Sequence, residues 1–463
     1  MRSAGSPNTT APRPEAPLFL LFAAPSLASE VVVEGGYRAR GQLFESLSLD
    51  HTLPDSEGLA FGFDHRLLLR PTLHLGDKAR VSLEVRALDG VVWGDESLSP
   101  SGPVQGAAPT FDPTLTAPVS TTDDYQVLQD ITVSRLWTEF DTGIGHFAIG
   151  RMPLHGGLGI WHNDGWQRAP ELAEHGDSVD RIGWDLLVQN QFFVGLGAAV
   201  LTEGTVGGED DTTRFDGTVA YRTELVQAGL LAEVSHTTDP EFTLGTFVGS
   251  ADITLGKLRL GTEIIGQFGG GSLSTIGDGV SVGAAGGALE AGLDLDPWKL
   301  EVLAGFATGD GDDRDLAVHT FTYDRDFSVG LVMFEQPLPT LSAAAANDEN
   351  DGRSLEQALA GDAVSNALFL RPTVRRTLAD GLVAHLSWLG ARAAKVPEFR
   401  AERNSYGMEI ATGLRWDAVS HVALGLDAAA FLPGTVFTNY EDDVYDSFDD
   451  PVYGVMLHTL VHF

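Results

Sequence analysis

The sequence predicts an all-β fold: a transmembrane antiparallel up-and-down β-barrel of about eighteen strands, with long external loops and short periplasmic turns. Three observations carry this expectation. From Val31 onward the apolar residues recur with a period of two. The connections between these alternating segments are by turns long and short. The last segment places Tyr453, Val455, Leu457, Val461 and Phe463 on one face, and the chain stops on that phenylalanine.

In chain order the segments fall near 31–47, 60–75, 79–88, 131–140, 145–152, 181–189, 192–202, 213–223 and 226–237. They continue near 242–255, 258–268, 280–293, 298–308, 366–377, 382–394, 405–416, 419–432 and 452–463. Phe61, Phe63, His65, Leu67 and Leu69 share one face of the second, while Asp64, Arg66 and Arg70 share the other. Val81, Leu83 and Val85 oppose Arg80, Ser82, Glu84 and Arg86 in the third. Ile182, Trp184, Leu186 and Val188 oppose Arg181, Asp185 and Gln189. Leu300, Val302, Ala304 and Phe306 oppose Lys299, Glu301 and Gly305, and Val422, Leu424 and Leu426 oppose Gly425 and Asp427. One apolar and one polar face, repeated along a whole chain, needs two solvents: lipid outside and water inside. A soluble sandwich shares the local pattern but usually in a shorter chain with shorter strands.

The connections separate these alternatives. The odd ones are mostly long (Ser48 to Leu59, Asp89 to Asp130, Pro153 to Asp180, Thr308 to Ser365, Pro433 to Pro451). The even ones are tight, as at Gly76-Asp77-Lys78, Asn190-Gln191, Gly256-Lys257 and Ala379-Asp380-Gly381. Only Thr238 to Glu241 fits this alternation poorly. Trp93, Trp137, Trp184, Trp298, Trp388 and Trp416 lie at or near segment ends, where interfacial girdles form.

Composition narrows the class. The chain has 463 residues and no cysteine, which excludes disulfides, thiolate metal sites and cysteine nucleophiles. A formal net charge of −36 argues against nucleic acid as a partner. Beyond residue 30 no stretch approaches the roughly 20 apolar residues of a spanning helix. Residues 1–28 read as a signal peptide, with Arg2 and Arg13, an apolar stretch from Pro17 to Pro25, and Ser26-Leu27-Ala28 before the cut. Residues 29–463 are then the barrel.

Of the long external loops near 89–130, 153–180 and 309–365, the first and last are too long for passive links. The second holds a Gly/His/Trp segment, Gly156 to Gly165, whose rings either stack on a sugar or ring or, more simply, pack into the barrel mouth. In the third, the apolar run Phe327 to Phe334 alternates weakly. It is either a further strand or loop; an even strand count keeps it in the loop, folded into the lumen as a constriction. Asp310, Asp312, Asp313 and Asp315 are weak calcium candidates, without the full spaced ligand set of a calcium loop. Glu441, Asp442, Asp443, Asp446, Asp449 and Asp450 form a similar cluster. Solvated charge is the simpler reading of both, and no cofactor is expected.

If the apolar faces meet lipid, Arg38, Arg40, Arg66, Arg70, Arg86, Arg371 and Arg375 line the lumen, joined by Arg135 and Arg151. Glu34, Asp64, Glu84, Asp185, Glu263, Glu301, Glu409 and Asp427 share that surface. The arginines either supply a field and bidentate contacts for an anionic solute or pair across strands with the carboxylates. Closure of the barrel is expected to bring Arg371 and Arg375 near the first three strands. No catalytic residue is expected: His385 with Ser387, and His458 with His462, are the only pairs to consider, and both alternate like ordinary wall positions.

Five short segments carry a resemblance. They are Gly36-Tyr37-Arg38-Ala39-Arg40, Ile149-Gly150-Arg151, Val364 to Pro372, Tyr406-Gly407-Met408-Glu409 and Phe431-Leu432-Pro433-Gly434. In these the chain resembles the alginate-export type of outer-membrane porin. The resemblance implies an eighteen-stranded barrel, an arginine-bearing lumen, and export or diffusion of a hydrophilic solute, small or polymeric. The expected location is the outer membrane of a Gram-negative bacterium. The expected partners are its lipid and lipopolysaccharide, the barrel-assembly machinery through Phe463, and the solute. The alternatives are a structural or adhesion barrel working through acidic loops and, less favoured, a barrel hydrolase.

Overall fold

The computed structural model describes residues 30–47, 59–88, 91–94, 131–166, 170–173, 176–202, 212–273, 277–311, 316–336, 363–396, 404–437 and 450–463. The export signal, most of the 89–130 loop, Asp312, Asp313, Asp315 and the acidic run 441–449 lie outside them.

The described residues form one sheet of twenty strands. These are β1 (Glu30–Glu45), β2 (Leu59–His74), β3 (Ala79–Ala87), β4 (Val91–Gly94), β5 (Thr132–Thr142), β6 (Gly145–Pro153), β7 (Ser178–Val188) and β8 (Phe192–Thr202). Next come β9 (Thr212–Arg222), β10 (Val226–Thr238), β11 (Glu241–Leu255), β12 (Leu258–Leu273), β13 (Gly277–Asp294) and β14 (Trp298–Ala307). The last are β15 (Ala317–Val318), β16 (Ala367–Ala379), β17 (Leu382–Ala393), β18 (Ser405–Val419), β19 (Val422–Pro433) and β20 (Val452–His462). β4 pairs only with β2, and β15 lies parallel to β13. The other eighteen pair antiparallel around a ring, with β3 meeting β5, β14 meeting β16, and β20 returning to β1. That seam runs from Gly36 opposite His462 to Glu45 opposite Tyr453. Gly35 and Phe463 extend it with two backbone bonds of 2.9 and 3.1 Å.

The eighteen wall strands match the expected segments one for one. The largest boundary difference is the hairpin of β12 and β13, which extends through Gly269, Gly270 and Gly271. Three glycines carry no alternation, so sequence period could not mark them as strand. The tight turns at the other end use residues free of a Cβ: Gly76, Gly256 and Gly381 adopt φ of 69°, 62° and 69°.

Side-chain parity sorts the two environments. On β20, Tyr453, Val455 and Leu457 are exposed while Val452, Met456, His458 and Leu460 are buried. Around the outside, Ile182, Leu196, Phe215, Leu230, Phe247, Ile264, Leu289, Leu386 and Ile410 stand exposed. A continuous apolar band of this extent is stable only against lipid.

The core of the molecule sits inside the ring. Two segments of the long external loops fold into the lumen: the first comprises residues 154–166, 170–173 and 176–177, the second residues 316–336. Ile160, Trp161, Phe321, Tyr323, Phe327, Val329 and Val332 pack against inward-facing Phe44, Phe242, Ile265, Leu303, Phe369 and Phe431. The run Phe327 to Phe334 is not a strand, and every residue from Phe327 to Met333 is buried. Its place in the lumen explains both its apolar character and the even strand number. The two segments join where the Asp324 N–H donates to the Ile160 carbonyl (3.0 Å).

Candidate functional site: the lumen constriction

Where these segments cross the lumen, the wall formed by β1, β2, β3 and β5 is basic. Strand parity turns Arg38, Arg40, Arg66, Arg70, Arg86 and Arg135 inward. Antiparallel register sets Arg38 opposite Arg66, Arg40 opposite Asp64, and Glu84 opposite Arg135. Two wall carboxylates serve five of these arginines. Asp64 takes Arg38 (3.1 Å) and Arg40 (2.8 Å). Glu84 takes Arg70 (2.5 Å), Arg135 (2.9 Å) and Arg86 (3.7 Å). The guanidiniums also clasp the first in-folded segment through its carbonyls. Arg38 and Arg66 both donate to Ala173 (2.7 and 3.0 Å), Arg40 to Glu171 (3.3 Å), and Arg135 to Asp177 (2.8 Å) and Asp164 (3.3 Å).

Burial divides the set. The Arg135, Arg38 and Arg40 side chains are 0%, 6% and 4% exposed, so their charge is held by fixed partners. The Arg70 side chain keeps 25% exposure.

Arg371 and Arg375 also point inward, but not beside this wall. Going round from β1, the strands β20, β19, β18 and β17 intervene before β16. The expected single patch is therefore two groups. Arg375 ion-pairs with Glu301 on β14 (2.6 Å) and lies opposite His385.

Arg151 corrects the expectation more sharply. It shares the parity of Ile149, opposite to inward-facing Ala148 and Met152, and bonds Asp180 on the exposed outer rim, with Nε at 2.9 Å. It does not line the lumen. The inward face of β6 next to Arg151 carries Ala148, Gly150 and Met152, small or apolar residues, so no near neighbour fixed its parity in the sequence. Arg181 and Arg214 belong to the lumen although they were not among the expected lining residues. Arg181 pairs with Asp216 (2.5 Å), and Arg214 lies 3.6 Å from Glu233. For Arg181 the signal was legible, because it opposes Ile182 and Trp184.

The other side of the lumen holds the in-folded segments by their N–H groups. Glu233 on β10 accepts from the Trp161 indole N–H (2.6 Å) and meets His162 Nε2 at 2.9 Å. Glu263 on β12 accepts from the Leu158 and Ile160 amides (2.7 and 3.1 Å). Glu409 on β18 accepts from Leu331, Val332 and Met333 (2.7, 3.0 and 2.8 Å).

The junction of the two segments is acidic. The Gly176 amide donates to Asp326 (2.5 Å) and the Asn163 amide to Asp177 (3.1 Å). Burial, with Asp177 and Asp326 close by, pushes the Asp324 carboxyl well above its usual range. Burial also raises Asp177, and His162 offsets only part of that. Burial opposes the charge on His162, but Glu233 and Asp177 outweigh it and raise its pKa.

Asp310 accepts from the His319 amide (3.1 Å), which occupies one of its oxygens within the loop. His385 and His458 each lie 3.5 Å from Asp427, and the Ser387 hydroxyl donates to the Ala411 carbonyl (3.5 Å). His462 packs against Trp166, with ring centroids 6.0 Å apart. Neither pair brings a nucleophile to a base.

An eighteen-stranded wall, a lipid-facing exterior and loops folded into the lumen define an outer-membrane barrel of the porin fold. Solved structures bear out that class. OpdK of Pseudomonas aeruginosa superposes with a TM-score of 0.52 at 10% identity, over 94% of this chain and 99% of that one. OccK11 (OpdR) of the same organism gives 0.51 at 9%, over 94% and 97%. OccAB4 of Acinetobacter baumannii gives 0.50 at 10%, over 95% and 100%. At such identities the likeness is one of fold. No family model and no curated protein sequence matches the chain. The fold and its apolar girdle place the protein in the outer membrane of a Gram-negative bacterium.

Proposed function

We propose that the protein is a channel for small hydrophilic solutes and that its lumen favours anions. One observation supports the preference: on β1, β2, β3 and β5 six arginines point inward, and five of them share two wall carboxylates, Asp64 and Glu84. A guanidinium keeps its charge at any working pH, and a narrow, low-dielectric passage strengthens its field. Alginate is not part of this reading, because the segments that resemble the alginate-export type are short and the wall as a whole is mixed in sign.

The test is the reversal potential of purified, refolded protein in a planar bilayer under a salt gradient. Wild type is expected to prefer anions. Replacing Arg66 and Arg70 by glutamine should shift the potential toward zero, and the same change at Arg371 and Arg375 should shift it less, since Glu301 already offsets Arg375. A cation-selective wild type, or a folded barrel without conductance, overturns the proposal.

A further inference from the structure

Glu409 and Glu263 share an arrangement that ordinary wall pairing does not explain. Each is a buried carboxylate, 2% and 0% exposed respectively. Among the described residues, neither is ion-paired with an arginine, lysine or histidine. Each instead takes the backbone N–H groups of one in-folded segment. Three consecutive amides, Leu331 to Met333, converge on Glu409, with both oxygens used. Leu158 and Ile160 converge on Glu263. Runs of amides turned onto one anion form a concave nest whose partial positive charge compensates it.

A glycine stands beside each nest. A Cβ on Gly330 would lie 2.6 Å from the Met333 carbonyl and 2.7 Å from a Glu409 oxygen, and one on Gly157 would lie 2.8 Å from a Glu263 oxygen. Real Cβ atoms do not approach so closely, so both segments come down on their carboxylates at a distance only glycine permits. The two tethers sit on separate arcs of the wall, β18 and β12. Between them they fix both segments that narrow the lumen.

We infer that Glu409 and Glu263 are positioning residues for permeation: they set the aperture by holding the in-folded segments, and do not act as charges in the solute's path. The inference rests on the channel reading above. It explains how acid on the wall can coexist with an anion preference, since these two carboxyl groups face amides in the protein interior and not the passing solute.

The experiment compares wild type, Glu409→Gln, Glu263→Gln and Gly330→Ala as full-length refolded barrels. Unit conductance, open-channel noise, reversal potential and amide exchange are read for each. Glutamine keeps the shape but turns one acceptor into a donor facing N–H groups. Glu409→Gln should accelerate exchange of the 331–333 amides by about tenfold or more, because bonds to a charged acceptor are the stronger kind. It should also raise unit conductance and noise while leaving the reversal potential unchanged. Gly330→Ala, which keeps the carboxylate, should reproduce the noise. A role confined to folding would lower the yield of folded barrel and leave the conductance of folded channels at the wild-type value. That result in both glutamine variants overturns the inference, as does failure of both to fold. A reversal potential that moves with Glu409→Gln also overturns it, by making the charge a permeation charge. A folded wild type that does not conduct defeats the channel reading itself, and is distinguished by appearing before any substitution is made.

Discussion

The two sides of the lumen grip the same in-folded chain by opposite ends of its peptide groups. On β1, β2 and β5, arginines take carbonyls of Asp164, Glu171, Ala173 and Asp177. On β10, β12 and β18, glutamates take amide and indole N–H groups. The difference lies in what is left over. A guanidinium has five N–H donors, so one arginine can hold a wall carboxylate and a loop carbonyl together. Glu409, with both oxygens taken by amides, has little capacity left for a solute. The basic side can therefore anchor and still project charge, whereas the acidic side anchors and withdraws its charge.

The strongest way to break this contrast is at Glu84, the one carboxylate of the basic side with three arginine partners. Glu84→Gln should cost about 3–5 kcal/mol, because buried guanidiniums lose their counter-charge. The check is the denaturant midpoint of the folded barrel, or the temperature at which its compact electrophoretic form is lost. A change below about 1 kcal/mol would mean that the loop carbonyls alone hold the arginines.

A smaller effect is expected from pH at the junction of the in-folded segments. Asp324, Asp177 and His162 all have folded pKa values raised above their unfolded ones. Each therefore binds more protons when the junction is closed, so closure is strongest below the unfolded values and weakens as pH rises through the folded ones. The window opens near 3.8 for the two aspartates and near 6.5 for His162. Proteolytic nicking of residues 316–336 should increase as pH is raised from acid to neutral. Asp324→Asn, which mimics the protonated acid, should flatten the lower part of that rise.

The smallest effect sharpens the contrast by standing outside it. Arg151→Gln removes an exposed pair on the outer rim, with side chains 40% and 47% exposed. It should change stability by less than about 1 kcal/mol and leave the reversal potential unmoved. A clear loss of anion preference would return Arg151 to the lumen.

The wall was legible because strand period is local: Phe61 to Arg70 declares its two faces with no knowledge of any partner. The even strand number followed from loop lengths, and it was enough to keep Phe327 to Phe334 out of the ring. What those residues touch was not legible. Val332 comes down beside Gly454, over which the Phe44 ring also lies; both are far from it along the chain, and only closure brings them together. The roles of the arginines were half legible. Parity placed Arg38 and Arg66 inward, but nothing local showed that one carbonyl, that of Ala173, would bind both. The glutamate tethers were invisible as tethers, because their partners are main-chain amides that carry no sequence signature.

The position of Val332 has a consequence for anyone who would widen this pore. Phe44 belongs to the first strand and Gly454 to the last, and they face each other across the line where the ring closes. The segment that obstructs the passage is thus also mortar in the joint between the two ends of the wall. Excising 316–336 to enlarge the bore would strip apolar contact from that joint as well. The gentler route to a larger opening is to loosen the tethers and leave the mortar in place.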